Sequence, residues 1–204
     1  YGDFSGYSDM ALGMSKLFGL DLLRNFNYPY FSRDIAEFWR RWHISLSSWF
    51  RDYLYIPLGG SRGSKIKQVR NVFIIFVVSG FWHGANWTFL AWGFINALYF
   101  LPSLLLGTNR TNMETAELHW DFNSVKVFFN ILITFTLACV AWIFFRANSI
   151  HIAFDYIGKI FTNGTFESQF LPNQRYSYEM LLLVLAFVLV EWNSRYKIEP
   201  ISGK

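Results

Sequence analysis

The sequence predicts an all-α, multi-pass transmembrane protein, and three observations lead to this fold class. Of the 204 residues, 53% are hydrophobic and 21% are aromatic. Only 16% are charged, whereas soluble domains carry about 25% charged residues. Ten of the eighteen Lys and Arg residues lie in the first seventy positions, and the long apolar tracts contain almost none. Charges separated from apolar tracts in this way are typical of a chain embedded in a bilayer.

Residues 4–23 form the first candidate crossing. A bilayer core about 30 Å thick needs about 20 apolar residues of helix, and this segment has that length. It also contains Asp9 and Lys16. Because charged side chains within a span face the protein interior, a crossing here requires both of them to point away from lipid.

Residues 32–55 are predicted to form one amphipathic helix. Their apolar residues recur at helical spacing: Ile35, Phe38, Trp39, Trp42, Leu46, Trp49, Phe50 and Tyr53. Ser32 is the predicted N-cap, and Pro57 gives the stop. A helix rich in Trp and Arg favours a position in the plane of the membrane interface rather than across it. His43 falls at the edge of the stripe, on the side of the arginines.

The next segment predicts a helix that breaks around a histidine. The loop "GGSRGSKIKQVR" carries four basic residues, which predicts a cytoplasmic position. A single helix over 71–106 would be about 54 Å long, too long for one crossing. Gly80 and Gly84 bracket His83 and relax the backbone, so we expect the break there. The first piece is then short, and 87–106 is a full-length helix.

His83 is a candidate functional residue because of its isolation. From Asn71 to Asn109 the sequence contains no Asp, Glu, Lys or Arg, so His83 is the side chain there that can exchange a proton near neutral pH. It lies about 20 Å along the helix axis from Arg70, well inside the membrane. Irregular backbone at that depth is tolerated where it is buried in protein or lines a cavity, which indicates a site. The alternative for His83 is a structural role as a buried neutral imidazole that hydrogen-bonds a neighbouring helix. The alternative for His43 is a structural role in an interfacial helix.

The remaining segments complete the predicted membrane domain. Residues 127–145 form the clearest span, and 180–192 form a shorter apolar helix extended by flanking aromatic residues. The polar segments 107–123 and 148–176 are predicted to be extramembrane loops, the latter with turn signals at "TNGT" and "LPNQ".

Several other classes of site and partner are not expected. The sequence pI of about 9.2 is compatible with nucleic-acid binding, but the basic residues flank apolar spans and no nucleic-acid motif is present. Cys139 is the single cysteine, so no intrachain disulfide or cysteine-based metal site is expected. His119 and His151 lie in polar segments and are predicted to be surface residues.

Three motifs resemble the membrane-bound O-acyltransferase (MBOAT) family, specifically its bacterial alginate O-acetylation branch. They are "DFSGYSDMALGMSKLFG", "FWRRWHISLSSWFRDYLYIPLGG" and "FWHGANWTFLAWG", in the family's order over roughly the first half of the chain. The D-alanyl transfer protein of teichoic acid synthesis is a close cousin. The resemblance implies helices around a tunnel, with the family's essential histidine at His83 and its second histidine at His43. It also implies about eleven crossings in a longer chain, so we expect residues 1–204 to be the C-terminal portion of a single MBOAT membrane domain without its N-terminal helices.

The resemblance and the chemistry of a lone imidazole together predict direct acyl transfer. In this hypothesis His83 is the general base that activates an alcohol against a thioester carbonyl, and His43 orients a substrate or steadies the oxyanion. Trp82 and Asn86 would line the site. Arg40 and Arg41, with the basic loop, would attract the phosphates of an acetyl-coenzyme A or phosphopantetheine thioester, or else contact lipid phosphates. No bound cofactor or metal is expected.

The predicted protein is therefore a multi-pass acetyltransferase of the bacterial cytoplasmic (inner) membrane. The resemblance implies that its partners are the lipid bilayer, an extracytoplasmic polysaccharide acceptor and acetyl-transfer helper proteins. The alternatives are D-alanyl transfer to teichoic acid, and a non-enzymatic transporter or scaffold subunit. A transporter should show intramembrane carboxylates or paired broken helices in related halves, and neither pattern occurs in this sequence.

Overall fold

The computed structural model describes residues 1–113, 122–162 and 178–194, and its regular structure within these ranges is helical. The helices are α1 (Gly2–Leu17), α2 (Ile35–Arg41), α3 (Ile44–Phe50), α4 (Lys65–His83), α5 (Trp87–Leu105), α6 (Phe122–Arg146), α7 (Ile150–Thr162) and α8 (Tyr178–Ser194). The described ranges contain no β-strand, which confirms the all-α prediction. Residues 1–150 and 151–204 form two compact units.

Helices α4 and α5 form a closely packed antiparallel hairpin in the first unit. Gly80 faces the backbone of Phe89, and Gly93 faces the backbone of Phe76. A Cβ atom added at either glycine would lie 2.2 Å from the carbonyl oxygen opposite it, which is far inside van der Waals contact. The two glycines therefore allow the helix backbones to approach more closely than any other residue would permit.

The hairpin turn follows His83, so the predicted break lies at Gly84, whereas Gly80, which was also expected to relax the backbone, is helical and lies inside α4. Gly84 has φ of 155°, a value that favours glycine, and Asn86 caps α5 by accepting a hydrogen bond from the Thr88 amide at 3.1 Å. The prediction that the first piece is short is wrong. Helix α4 has 19 residues because Ser64 caps it and the basic residues that follow continue the helix, so the histidine lies at the tip of a long hairpin.

The predicted single amphipathic helix is divided by a kink at His43. Its φ of 43° and ψ of 58° are left-handed, and they separate α2 from α3, which runs on into a π-helical turn over Arg51–Tyr55. The irregular segment before α2 forms hydrogen bonds with the backbone groups that the kink leaves open. The Ile44 amide donates to the Asn25 carbonyl at 2.9 Å, and the Asn27 amide donates to the carbonyl of the last α2 residue at 3.0 Å. The apolar stripe continues across the kink, so sequence periodicity alone did not detect it.

A buried ion-pair cluster holds α2 in place. Glu37 is 1% exposed, and its carboxylate pairs with Arg33 at 3.0 Å and with Arg41 at 2.8 Å. Asp34, rather than the predicted Ser32, is the N-cap, and it accepts the Glu37 amide at 2.7 Å. Ser32 does not cap because its hydroxyl donates to a carbonyl of the preceding 3₁₀ turn at 2.6 Å.

Two helices in the described ranges are long and apolar enough to cross a membrane. They are Trp87–Leu105 and Ser124–Arg146, which match the spans predicted over 87–106 and 127–145. Helix α1 has 16 residues and ends at Leu17, so the helix predicted over 4–23 is shorter than expected. The C-terminal end of α6 lies beside the tip of the hairpin, where Asn86 donates to the Asn148 carbonyl at 3.2 Å.

The second unit contains a helix where a loop was expected. Helix α7 occupies part of the segment 148–176 because its apolar residues recur at helical spacing, although the segment is polar on average. His151 on this helix is exposed, as predicted. The apolar helix expected over 180–192 is present as α8. The turn at "LPNQ", most of the turn at "TNGT", and His119 lie outside the described residues.

Candidate active site

One cavity of about 340 Å³ runs along the α4–α5 hairpin, and both candidate histidines line it. Val72 and His83 on α4 lie at its two ends, eleven residues apart, which is about 16 Å along the helix axis. The wall opposite α4 comes from α2, α3 and the π-helical turn. The cavity is thus elongated, with one end at the tip of the hairpin and the other at its open end.

The kink in the second segment brings His43 to the same end of the cavity as His83. Both histidines line the cavity and Trp82 lies near both, with its ring centre 4.9 Å from that of His83 and 6.4 Å from that of His43. The left-handed His43 backbone starts α3, and the π-helical turn that follows α3 packs at Tyr55 against the open end of the hairpin. These contacts indicate that the segment from α2 to the π-helical turn runs along the hairpin. The in-plane orientation of the segment stays a prediction.

His83 is surrounded by aromatic rings. The ring centres of Phe145, Trp92 and Phe89 lie 4.9, 5.3 and 6.3 Å from that of His83. Edge-to-face contacts with the first two fix the plane of the imidazole, since such pairs prefer defined geometries. This end of the cavity is therefore apolar and contains two groups able to exchange a proton, which suits an imidazole that accepts a proton from a substrate.

The other end of the cavity is cationic. Arg51 and Arg110 line it together with the hydroxyl-bearing residues Tyr55 and Ser61. Arg51 also donates to the carboxylate of Asp52, which keeps the pKa of that carboxyl below its ordinary value, so the pair remains ionised at neutral pH. Arg110 is exposed, and the cation at this position is available to an anionic ligand.

The structure places the four predicted substrate-binding residues differently from one another. Arg40 lines the cavity, but its guanidinium donates to the carbonyl oxygens of Asn109 and Asn112 at 2.6 and 2.8 Å. Arg41 lies in the buried cluster with Glu37 and not in the cavity lining. Trp82 stands beside the histidines with 57% of its surface exposed. Asn86 caps α5 and ties the hairpin tip to the end of α6.

Sequence reasoning missed Arg51, Arg110 and Trp92 as cavity residues. Arg51 follows the same helical flank as Arg40, and this spacing is a signal that points to it. Arg110 follows α5 in a turn and has no comparable signal. Trp92 is 1% exposed and lines the cavity beside His83, although in the sequence it is one of nine tryptophans and resembles a core residue.

Comparison with known proteins identifies similar chains. The family model of MBOAT, the membrane-bound O-acyltransferase family, matches residues 1–159. "Probable alginate O-acetylase AlgI" of Pseudomonas aeruginosa is 40% identical over 191 residues, which cover 93% of this chain and 35% of that protein. "Peptidoglycan O-acetyltransferase" of Helicobacter pylori is 41% identical over 166 residues, which cover 80% and 30%. "Teichoic acid D-alanyltransferase" of Bacillus subtilis is 31% identical over 158 residues, which cover 73% and 38%.

The match covers most of this chain but a smaller part of its relatives. The chain spans between 30% and 38% of the length of these three proteins. Both histidine motifs fall within the residues that the family model matches.

Proposed function

The chain belongs to the membrane-bound O-acyltransferase family, and we propose that the protein transfers an acetyl group from a thioester donor to a hydroxyl of an extracytoplasmic polysaccharide. One observation carries the proposal: His43 and His83 meet at the apolar end of a cavity whose other end is cationic. A thioester donor built on a phosphorylated carrier has the complementary form, with its phosphate at one end and its reactive carbonyl at the other.

The reaction needs one base and no covalent enzyme intermediate. The neutral imidazole of His83 accepts the proton of the acceptor hydroxyl as the oxygen attacks the thioester carbonyl. His43, beside the same space, steadies the oxyanion of the tetrahedral intermediate. When the intermediate collapses, the carbon–sulfur bond breaks and the imidazolium of His83 returns its proton to the leaving thiolate. The products are the O-acetyl ester and a free thiol.

The direction of the cavity sets the side from which each substrate enters. The basic residues in the first turns of α4, Lys65, Lys67 and Arg70, favour the cytoplasmic side of a bacterial inner membrane for the open end of the hairpin. Helix α4 then extends about 27 Å to His83, close to the thickness of a bilayer core. The donor enters past Arg51 and Arg110 from the cytoplasm, and the acceptor reaches His83 from the opposite side. Helper proteins outside the membrane would present the polysaccharide.

D-alanyl transfer is the second candidate because the relative from Bacillus subtilis is a teichoic acid D-alanyltransferase. A D-alanyl group carries an ammonium close to the reacting carbonyl. Among the described residues that line the cavity, Arg40, Arg51 and Arg110 carry the permanent charges and no carboxylate is present. The acyl group lies at the His83 end, where no described lining residue offers a carboxylate to pair with a buried ammonium, so the cavity favours acetyl.

Transfer of radiolabelled acetyl groups by membranes that contain the full-length protein tests the proposal. We expect His83→Ala to lower transfer by about 10²- to 10⁴-fold, which is the usual contribution of a general base. His151→Ala is the matched control, since His151 is exposed on α7. Membrane levels are equalised by immunoblot. Wild-type transfer by His83→Ala would contradict the assignment of the base, and label from a D-alanyl donor alone would favour the second candidate.

A further inference from the structure

At the His83 end of the cavity, Trp92 packs with two further aromatic side chains, Trp142 and Phe145. The ring centres of Trp92 and Trp142 lie 5.8 Å apart, and each lies 5.3 Å from the ring centre of Phe145. Each pair is in van der Waals contact at such distances, so the three rings form a closed triangle. We call this set the aromatic wall. Trp92 lines the cavity itself, while Trp142 and Phe145 pack against Trp92.

We propose that the aromatic wall limits the acyl group to a short chain, and this inference rests on the proposed function. The donor carrier occupies the cavity from its cationic end, and the thioester carbonyl lies at His83. The acyl chain must continue beyond the carbonyl, away from the carrier. Trp92 and Phe145 contact His83 with ring-centre distances of 5.3 and 4.9 Å and occupy this position. An acetyl methyl group fits against the wall, whereas a longer chain meets the rings.

The wall packs against two further cavity-lining tryptophans and does not yield easily. Trp142 contacts Trp42 at 4.9 Å between ring centres, and Trp92 contacts Trp39 at 5.7 Å. Trp92 is 1% exposed. Densely packed aromatic side chains resist small displacements, so a few added methylene groups cannot be accommodated by a shift of one ring.

Competition between two acyl donors tests the wall. Membranes that contain the full-length protein, supplemented with cytosol, receive equal amounts of labelled acetyl- and butyryl-coenzyme A, and the ratio of the two acyl groups on the polysaccharide is measured. One methylene in a tight pocket changes specificity by about 10- to 200-fold, so we expect wild type to favour acetyl by more than about 100-fold. We expect Phe145→Ala to reduce this preference by at least about 10-fold. The ratio is independent of how much of each variant folds.

Two further variants keep the test decisive. Phe129→Ala removes the same side chain from an exposed position on α6 and should leave the ratio unchanged. Trp92→Leu opens the wall from the cavity side and should relax the ratio as Phe145→Ala does. Equal use of both donors by wild type, or an unchanged ratio in both wall variants, would overturn the inference while acyl transfer stands. If wild type transfers neither group, the proposed function itself fails.

Discussion

Replacement of Gly93 by alanine should separate the α4–α5 hairpin and disable the site. The added Cβ would lie 2.2 Å from the Phe76 carbonyl oxygen and 3.2 Å from the Cα of Val77. Ordinary contact begins near 3.4 Å, so the helices must move apart by 1.2 Å, the difference between 3.4 and 2.2 Å. The obstacle is backbone and cannot rotate away. Overpacking of this kind costs about 1–3 kcal/mol.

The same displacement reaches the active site. Gly93 directly follows Trp92, which contacts His83, so separation of the helices moves the wall relative to the imidazole. A misplacement of about 1 Å costs about 10²-fold in rate. We therefore expect Gly93→Ala to lose about 10²-fold in acetyl transfer and to lower the melting temperature of the detergent-solubilised protein, measured by size-exclusion chromatography after heating.

A matched glycine separates packing from helix propensity. Gly158 lies within α7 with no atom within 4 Å of its added Cβ. Gly158→Ala should gain the helix propensity of alanine, about 1 kcal/mol, with no steric cost. If Gly93→Ala melts at the same temperature as Gly158→Ala and transfers acetyl groups at the wild-type rate, the close approach of the two helices is not what positions the site.

Two further substitutions test the ion pairs and the cationic end of the cavity. Glu37→Gln removes the buried carboxylate that Arg33 and Arg41 share. We expect the protein to lose about 3–5 kcal/mol of stability, seen as a fall in monodisperse protein after solubilisation. A yield and a melting temperature equal to those of wild type would contradict this expectation. Arg110→Gln should raise KM for the thioester donor and leave kcat unchanged, because the substitution removes an electrostatic attraction that acts equally on the bound substrate and on the transition state. The rise in KM should become smaller as salt is added, since salt screens this attraction. Lys159→Gln on α7 is its control, and an unchanged KM would place the donor elsewhere.

The helical class and the break after His83 could be predicted from the sequence because each depends on local signals, and local signals also singled out the two histidines that the structure places in one cavity. A charge-free tract, bracketing glycines and the "WHG" motif are visible in a single chain. The kink at His43 was not predictable, since its open backbone groups bond to Asn25 and Asn27, about eighteen residues earlier in the chain.

The prediction of which arginines bind a phosphate is limited in the same way, because it depends on contacts between distant parts of the chain. Arg40 and Arg41 are neighbours in the sequence and equally suited to a phosphate, but Arg41 turns to Glu37 and Arg40 to backbone carbonyls. Helical rotation of about 100° per residue sends adjacent side chains to different surroundings. Which of them meets a ligand depends on the tertiary packing of α2 against the turn after α5, and no local pattern encodes that packing.

The hairpin also bears on how the protein enters the bilayer. In the described ranges α5 qualifies as a span and α4 does not, because α4 begins with Lys65, Lys67 and Arg70. Glycine contacts at Gly80 and Gly93 join the two helices in the half of the hairpin nearer its tip. We therefore expect α4 to partition into lipid as one unit with α5, after α5 has emerged from the ribosome. Insertion of the segment that carries His83 would then depend on a helix that follows it in the chain.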